Sequence, residues 1–265
     1  MDTVDRRTGR THRFADAPGS VLGLHVSVDG KSVWAVWTSF GAGFKENHGT
    51  GIVAWSLADA HRIGAWPLPD HDARANLGDL LMLDSNTIVA SDSGTGAIYE
   101  FDMRRHDYRT VIAAGHFSSP QGIAAGRAVG DVYLADYDTG LWRVALGDGS
   151  RKALTAPAGV ELRGIDGLYR VGNGLIGVQN GTSTHRILWL ALGDDDAITC
   201  VEPLAKGRPE WDEPTLGVVV DGRFWFNAAS QWSRFDDNLK PRADAKLQSP
   251  LLDSVAVPLD AATQH

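Results

Sequence analysis

Short runs of hydrophobic residues, each closed by a polar residue, recur along the chain at a nearly constant interval. Four such runs, TIVASD, DVYLAD, LIGVQN and RFWFN, end at Asp92, Asp136, Asn180 and Asn227. Their ends are 44, 44 and 47 residues apart. A second series of apolar runs starts at Gly51, Gly96, Gly140 and His185, at intervals of 45, 44 and 45. A period in this range, with several short strands per unit, is typical of a β-propeller built from four-stranded blades.

The pattern divides the chain into five units, each read as strands a to d. In the first unit we predict strands at Val21–Val28, Ser32–Trp37, Gly51–Leu57 and Arg62–Pro67. The later units begin at Asp79, Gln121, Asp166 and Thr215, and Leu251–Leu259 is strand c of the last. Helical periodicity is absent and no linker divides the chain, so we predict an all-β protein with a single propeller domain over residues 1–265. The long connections 39–50 and 231–250 are candidates for functional loops.

The N-terminus resembles the end of a blade. Val4–Gly9 matches Ser56–Arg62, where a third strand ends and an outer strand begins. The chain is therefore expected to start inside a blade, either because sequence is missing upstream or because this strand completes the blade made by the C-terminus. MDTVDRRTGRTHRF has no apolar core and is not a signal peptide. The compartment stays open: cytoplasmic as the chain stands, periplasmic or secreted with further upstream sequence.

Composition narrows the classes of partner. The chain has 265 residues, 43% of them hydrophobic, a net charge of −8 and a pI of about 5.5. No basic stripe is present, which argues against nucleic acid. Cys200 is the single cysteine, so no intrachain disulfide forms. No apolar run is long enough to span a membrane. We expect a soluble monomer that binds a small molecule.

Polar residues recur where strand a of each unit begins. They are His25, Asp79, Gln121, Asp166 and Glu213. Strand a is the innermost strand of a blade, so equivalent positions are expected to converge at one mouth of the central channel. Carboxylates crowded there would repel one another without a cation, and calcium prefers such oxygen-rich sets. We therefore predict a divalent cation held by Asp79, Gln121, Asp166 and Glu213; calcium is the first candidate, and magnesium or manganese would tolerate a similar set.

Other candidates follow from position. His25 is a candidate base or proton shuttle, and His48 lies in a long glycine-rich loop. Gln179 and Asn180 follow the Asp166 strand and are candidate substrate contacts, whereas Asp92 and Asp136 are predicted to serve turns. The chain has no Gly-x-Ser-x-Gly elbow, phosphate-binding loop or zinc spacing, which argues against serine hydrolases, nucleotide enzymes and zinc enzymes.

Three segments carry a family resemblance: LGDLLML…TIVASDSGTGAIYEFD, SSPQGIAAG…DVYLADYDTGLWRV and GIDGLYRVGNGLIGVQNG. Over about residues 20 to 230 the chain resembles the SMP-30/gluconolactonase/luciferin-regenerating-enzyme family and, more loosely, strictosidine-synthase-like and paraoxonase-like propellers. The resemblance implies six blades, here with an incomplete first blade, and a closed five-bladed ring is the alternative. It also implies a calcium ion in the channel and hydrolysis of a lactone or related ester.

The resemblance assigns roles residue by residue. Asp166, in Ile-Asp-Gly-Leu, matches an aspartate that is both metal ligand and general base. Gln121 stands where the family has a metal-binding asparagine, and Asp79 matches a region that contacts substrate or metal. The family's first-blade glutamate has no counterpart, and Glu213 is its candidate replacement.

Three functional hypotheses remain. The first is a calcium-dependent lactone or ester hydrolase in which Asp166 activates water and His25 assists proton transfer; Asp79, Gln179, Asn180 and His48 then contact the substrate. The second is a non-catalytic propeller that binds a small molecule or a protein partner. The third is a truncated fragment whose open ring exposes strand edges.

Overall fold

The computed structural model describes residues 1–40, 47–69, 72–236 and 240–258, and the regular secondary structure of these residues is almost entirely β-strand. The chain begins with a two-stranded antiparallel sheet of β1 (Asp2–Val4) and β2 (Thr11–Arg13). Five further sheets follow, each an antiparallel meander in sequence order. Within the described residues, no helix has the length and apolar character needed to cross a membrane.

The five sheets are the blades of a propeller. Blade one consists of β3 (Ser20–Val26), β4 (Ser32–Phe40), β5 (Asn47–Ser56) and β6 (Arg62–Pro67). Blade two consists of β7 (Leu77–Met82), β8 (Thr87–Asp92), β9 (Ala97–Asp102) and β10 (Asp107–Ile112). Blade three consists of β11 (Pro120–Ala125), β12 (Asp131–Asp136), β13 (Gly140–Ala145) and β14 (Arg151–Ala153). Blade four consists of β15 (Ile165–Val171), β16 (Gly174–Gln179), β17 (Arg186–Leu192) and β18 (Ile198–Lys206). Blade five consists of β19 (Gly217–Val220), β20 (Arg223–Asn227) and β21 (Leu252–Ala256). Short 3₁₀ turns occupy Asp194–Asp196 and Trp232–Arg234.

The prediction of six blades with an incomplete first blade is wrong. The described residues form five blades, and blade one has all four of its strands. The five-bladed alternative matches this arrangement, although the N-terminal strand does not add to the edge of β21. Instead β1 pairs with β2, from Asp2 opposite Arg13 to Val4 opposite Thr11. A local hairpin forms because its two strands are adjacent in sequence, and the loop-closure cost of pairing them is small.

The hydrophobic core lies between neighbouring blades. One cluster joins blades one and two through residues such as Trp34 and Leu80. Similar clusters join blades two and three, three and four, and four and five, the last around Phe224. The alternation of each strand explains this arrangement, because successive side chains point to opposite faces of a blade and each face meets a neighbour.

The N-terminal segment (residues 1–17) covers the remaining face of blade one. Met1 and Phe14 pack against Trp37 and Trp55 and their neighbours in that blade. The turn of the hairpin reaches blade five, where Arg6 Nη2 donates to Asp221 Oδ2 at 2.8 Å and the guanidinium lies 5.5 Å from the centroid of the Trp225 ring. The segment therefore contacts blades one and five, the first and last in sequence.

Asp92 and Asp136, which end the second strands of blades two and three, have the turn role predicted for them. The Asp92 carboxylate accepts the N–H groups of Asn76, Gly94 and Thr95. Each aspartate ties the turn after its own strand to the connection that leads into the innermost strand of the same blade. Both side chains are fully buried.

We expect Asp136→Ala to destabilise the fold by about 3 kcal/mol, because it leaves the N–H groups of Ser118, Asp138 and Thr139 without their charged acceptor. Urea unfolding measures this difference. The matched control is Asp138→Ala, two residues away at an exposed position, which should change the free energy of unfolding by less than about 0.5 kcal/mol. Equal stabilities for the two variants would contradict this role of Asp136.

Candidate functional site

A bulge near the start of the innermost strand shapes the site in blades one to four. The register shifts between Val21 and Leu24, Leu77 and Asp79, Pro120 and Ile123, and Ile165 and Gly167. A bulge inserts an unpaired residue and re-aims the side chains around it. In blades three and four these unpaired positions include Gln121 and Asp166, which therefore turn toward the channel.

The channel forms a cavity of about 960 Å³. Its wall carries five predicted site residues and two tyrosines: Asp79, Gln121, Asp166, Asn180, Glu213, Tyr137 and Tyr169. The structure thus brings together all four predicted metal ligands and two predicted substrate contacts, Asp79 and Asn180. Convergence at one channel mouth is what the repeat pattern predicts.

Asp79 is the most deeply buried carboxyl group of the cavity, at 7% exposure. Its Oδ2 accepts the N–H of Ile123 at 3.2 Å, and its Oδ1 lies against Gly23 of the neighbouring strand β3. Burial raises the pKa of Asp79 to about 7, although hydrogen bonds from the N–H groups of Leu80 and Ile123 oppose this and the charge of Asp166 adds to it.

Asp166 is held by a relay of two polar side chains, Asn180 and Tyr137. Its Oδ2 accepts Asn180 Nδ2 at 3.0 Å, and the same Nδ2 donates to the carbonyl of Pro214 at 3.0 Å. Asn180 Oδ1 in turn accepts the hydroxyl of Tyr137 at 2.9 Å. Burial raises the pKa of Asp166 to about 6; the bond from Asn180 lowers it and the charge of Glu213 raises it. Asn180 therefore fixes the position of the carboxylate and favours its ionised form.

Both tyrosines stay protonated at neutral pH. Burial, followed by the charges of Asp166 and Glu213, raises the pKa of Tyr137 to about 12. Burial and the charge of Asp79 raise the pKa of Tyr169 well above its ordinary value. The Tyr169 hydroxyl accepts the N–H of Gly217 at 2.7 Å, so its own hydrogen remains available to donate.

Gln121 and Glu213 complete the polar wall. Gln121 Nε2 donates to the hydroxyl of Ser119 at 2.9 Å. Glu213 has a left-handed backbone, with φ at +61°, a strained conformation for a residue with a side chain. Burial raises its pKa, and the charge of Asp212 contributes. Strain of this kind is often found at functional positions.

Two predicted residues do not line the cavity. The bulge in β3 lies between Val21 and Leu24, so the position equivalent to Asp166 falls near Gly23 and not at His25. The His25 Nδ1 is 2.8 Å from the carbonyl oxygen of Val26, and burial lowers the pKa of this histidine. The catalytic role predicted for His25 therefore has no geometric support.

Gln179 is fully buried away from the cavity, where its Nε2 donates to the carbonyls of Glu161 and Arg163 and its Oε1 accepts a bond from Arg186. These bonds leave it no role as a substrate contact. His48 belongs to strand β5 by its backbone, and its side chain lies outside the described residues.

Tyr137 and Tyr169 are the functional candidates that the sequence pattern missed. Asp166 and Tyr169 both face the cavity although they are three residues apart, a spacing that strict alternation along a strand forbids. The bulge beside Gly167 shifts the alternation by one residue, so both side chains can face the cavity. A glycine close to the start of strand a in every unit, such as Gly122 and Gly167, is the signal that could have revealed both the bulge and the tyrosine.

A calcium ion takes about six to eight oxygen ligands. Among the residues that the structure describes, no group of three or more His, Cys, Asp or Glu side chains lies close enough to hold a metal ion. Oxygens of Asp79 and Asp166 are already engaged by Ile123 and Asn180. As they stand, these donors do not fit calcium. Calcium binding therefore stays a prediction that rests on the sequence.

No protein-family model matches the sequence. No curated protein matches it either.

Solved structures do match the fold. A nidogen/laminin complex superposes with a TM-score of 0.62 at 16% identity, over 88% of this chain and 81% of that one. A PQQ-bound aldose sugar dehydrogenase from Streptomyces coelicolor gives 0.62 at 13% identity, over 96% and 87%. The periplasmic gluconolactonase of Pseudomonas aeruginosa gives 0.56 at 15% identity, over 97% and 80%. At these identities the likeness shows the β-propeller fold alone and does not place the chain in the SMP-30 family.

The raised pKa of Asp79 predicts how stability depends on pH. The folded state holds a proton on Asp79 up to about pH 7, whereas an unfolded aspartate loses it near 3.8. The folded state therefore binds more protons in this window, and stability falls as the pH rises through it. Between pH 5 and 7.5 we expect the ionisation of Asp79 to lower the free energy of unfolding by about 2 to 3 kcal/mol.

Urea unfolding of the wild type and Asp79→Asn at both pH values measures this contribution. The variant should lose less stability than the wild type over the same interval, because an amide does not ionise. An identical pH dependence in the two proteins would show that Asp79 ionises normally in the folded state.

Proposed function

We propose that the protein hydrolyses a lactone or ester in the channel cavity, with Asp166 as general base. The observation that carries the proposal is the pair of buried carboxyl groups, Asp79 and Asp166, on the wall of one cavity together with Tyr169. Two carboxyl groups in different environments are a recurrent arrangement for acid–base chemistry. The fold shared with a gluconolactonase is compatible with this reaction class, although one fold hosts many functions.

Asp166 supplies the base. With a pKa of about 6 it is mostly ionised at neutral pH, and its carboxylate takes a proton as a water oxygen attacks the carbonyl carbon. The relay from Asn180 and Tyr137 keeps the carboxylate in one orientation during this step. A base whose pKa lies near the working pH combines the correct protonation state with enough basicity.

Tyr169 and Asp79 supply the hydrogen-bond donors. Attack of water places negative charge on the former carbonyl oxygen, and fixed hydrogen-bond donors stabilise that charge. The Tyr169 hydroxyl has a hydrogen to give, and Asp79 keeps its proton below about pH 7. When the bond from the carbonyl carbon to the ester oxygen breaks, the leaving oxygen receives the proton held on Asp166. The products are an acid and an alcohol, joined in one molecule when the substrate is a lactone.

We expect Asp166→Asn to lower kcat/KM for lactones or aryl esters by a factor of about a hundred to ten thousand, because the amide cannot accept the proton. In the wild type the rate should rise as the pH passes about 6, where Asp166 ionises, and fall as it passes about 7, where Asp79 loses its proton. A pH-indicator assay over a panel of lactones and esters measures both effects.

The control is Asp138→Asn, an exposed aspartate outside the cavity, which should keep the wild-type rate. Full activity in Asp166→Asn would overturn the assignment of the base. If the panel gives no turnover but its members bind in the cavity, the protein is a small-molecule-binding propeller.

Calcium is tested separately by thermal unfolding. An ion that binds the folded state must raise the midpoint by mass action. Because the donor set does not fit calcium, we expect the same midpoint in chelator and in excess calcium. A rise in the wild type that disappears in Asp166→Asn would instead establish a channel site for the ion.

A further inference from the structure

The part of the cavity that lies away from the carboxyl groups is apolar. Blade one contributes Leu22 and Leu24 to its wall, and blade five contributes Val218 and Val220. Leu24 is 47% exposed and Val218 is 46% exposed. These side chains lie on the innermost strands of their blades. By contrast, every residue of β7, the innermost strand of blade two, is buried. Exposed apolar side chains that face one cavity indicate a binding surface for an apolar group.

This apolar wall exists because blades five and one do not pack on each other as the other neighbours do. Strand β3 packs on β7, β7 on β11, and β11 on β15. No hydrophobic cluster of the described residues joins blade five to blade one, since the N-terminal segment covers that face of blade one. The channel therefore widens between β19 and β3, and the hairpin forms its third side.

The hairpin adds no net charge to this space. Asp2, Val4 and Arg6, at alternate positions, line the cavity. Arg6 is paired with Asp221 and lies over the Trp225 ring, and Asp2 is 3.8 Å from the guanidinium of another N-terminal residue, Arg13. Because each of these charges already has a partner, an anionic or cationic ligand gains little here. The apolar surface available to a ligand includes Val4, Trp225 and the four aliphatic side chains of β3 and β19.

We infer that the substrate is a lactone or ester with an uncharged alkyl arm. The carbonyl lies beside Asp166 and the arm lies between Leu24, Val218 and Val4. The choice of a lactone or ester as the reacting group rests on the proposed function. The placement of the arm rests on the apolar wall, which belongs to the same cavity as Asp166. A volume of about 960 Å³ is large for a lactone ring alone and leaves space for such a substituent.

The test measures binding separately from turnover. Asp166→Asn protein, which should not consume the ligand, is titrated by calorimetry with γ-lactones whose alkyl substituent lengthens from methyl to hexyl. We expect Kd to fall about fourfold for each added methylene until the space is filled. In the wild type, kcat/KM should rise along the same series.

Matched variants locate the arm. Leu24→Asp places a charge in the proposed space, whereas Leu247→Asp makes the same change at a position of 49% exposure outside the cavity. Val218→Asp and Val129→Asp form a second pair, with Val129 fully exposed and outside the cavity. The cavity variants should lose the gain from added methylenes, and the control variants should keep it. All four positions are exposed, and thermal unfolding confirms that each variant folds.

A Kd that does not change with chain length, or an equal loss in the control variants, overturns the inference. Hydrolysis of short and long lactones at the same kcat/KM also overturns it, while the proposed function stands. Binding that tightens with chain length, without turnover of any member, supports the alkyl site and rejects the hydrolase.

Discussion

The close approach of neighbouring innermost strands is the constraint on which this site depends. A Cβ atom at Gly23 would lie 2.3 Å from the Asp79 carboxylate, and one at Gly122 would lie 2.3 Å from the backbone nitrogen of Leu168. No larger residue fits at either position without moving the strands apart. The glycines therefore bring the neighbouring strands to contact distance. The same contact excludes water from Asp79, which is the main cause of its raised pKa.

Carboxyl groups on the wall of one cavity carry an electrostatic cost of ionisation. The charge of Asp166 raises this cost for Asp79, the charge of Glu213 raises it for Asp166, and Asn180 offsets part of it by donating to Asp166. Buried charges left without such partners would destabilise the fold by several kcal/mol. A proton on one carboxyl group relieves the repulsion without any cation. The carboxyl groups of this cavity therefore differ from the set of calcium ligands that the family resemblance implies, although the overall fold is that of a β-propeller.

Much of the blade architecture could be predicted from the chain, because alternation and tight turns are local properties. The predicted strand Arg62–Pro67 coincides with β6, and the repeat placed Asp79, Gln121 and Asp166 at one channel mouth. His25 was misplaced because a bulge changes the count along β3, and Tyr169 was missed for the same reason in β15. The number of blades was wrong because it rested on a resemblance. The pairing of the first residues with each other was missed because their likeness to the end of a blade was given more weight than the local hairpin that they can form.

The position of the N-terminal segment also has a consequence for the order of folding. Residues 1–17 precede all five blades along the chain, yet Arg6 can contact Asp221 and Trp225 only after the fifth blade has been made. Four blade interfaces join neighbours in sequence and can form in turn, whereas this last one spans more than two hundred residues. Long-range contacts of this kind form slowly. The contacts that cover the apolar face of blade one, which includes Trp37 and Trp55, join residues much closer in sequence. Their loop-closure cost is smaller, so the segment can cover this face before it helps to enclose the cavity.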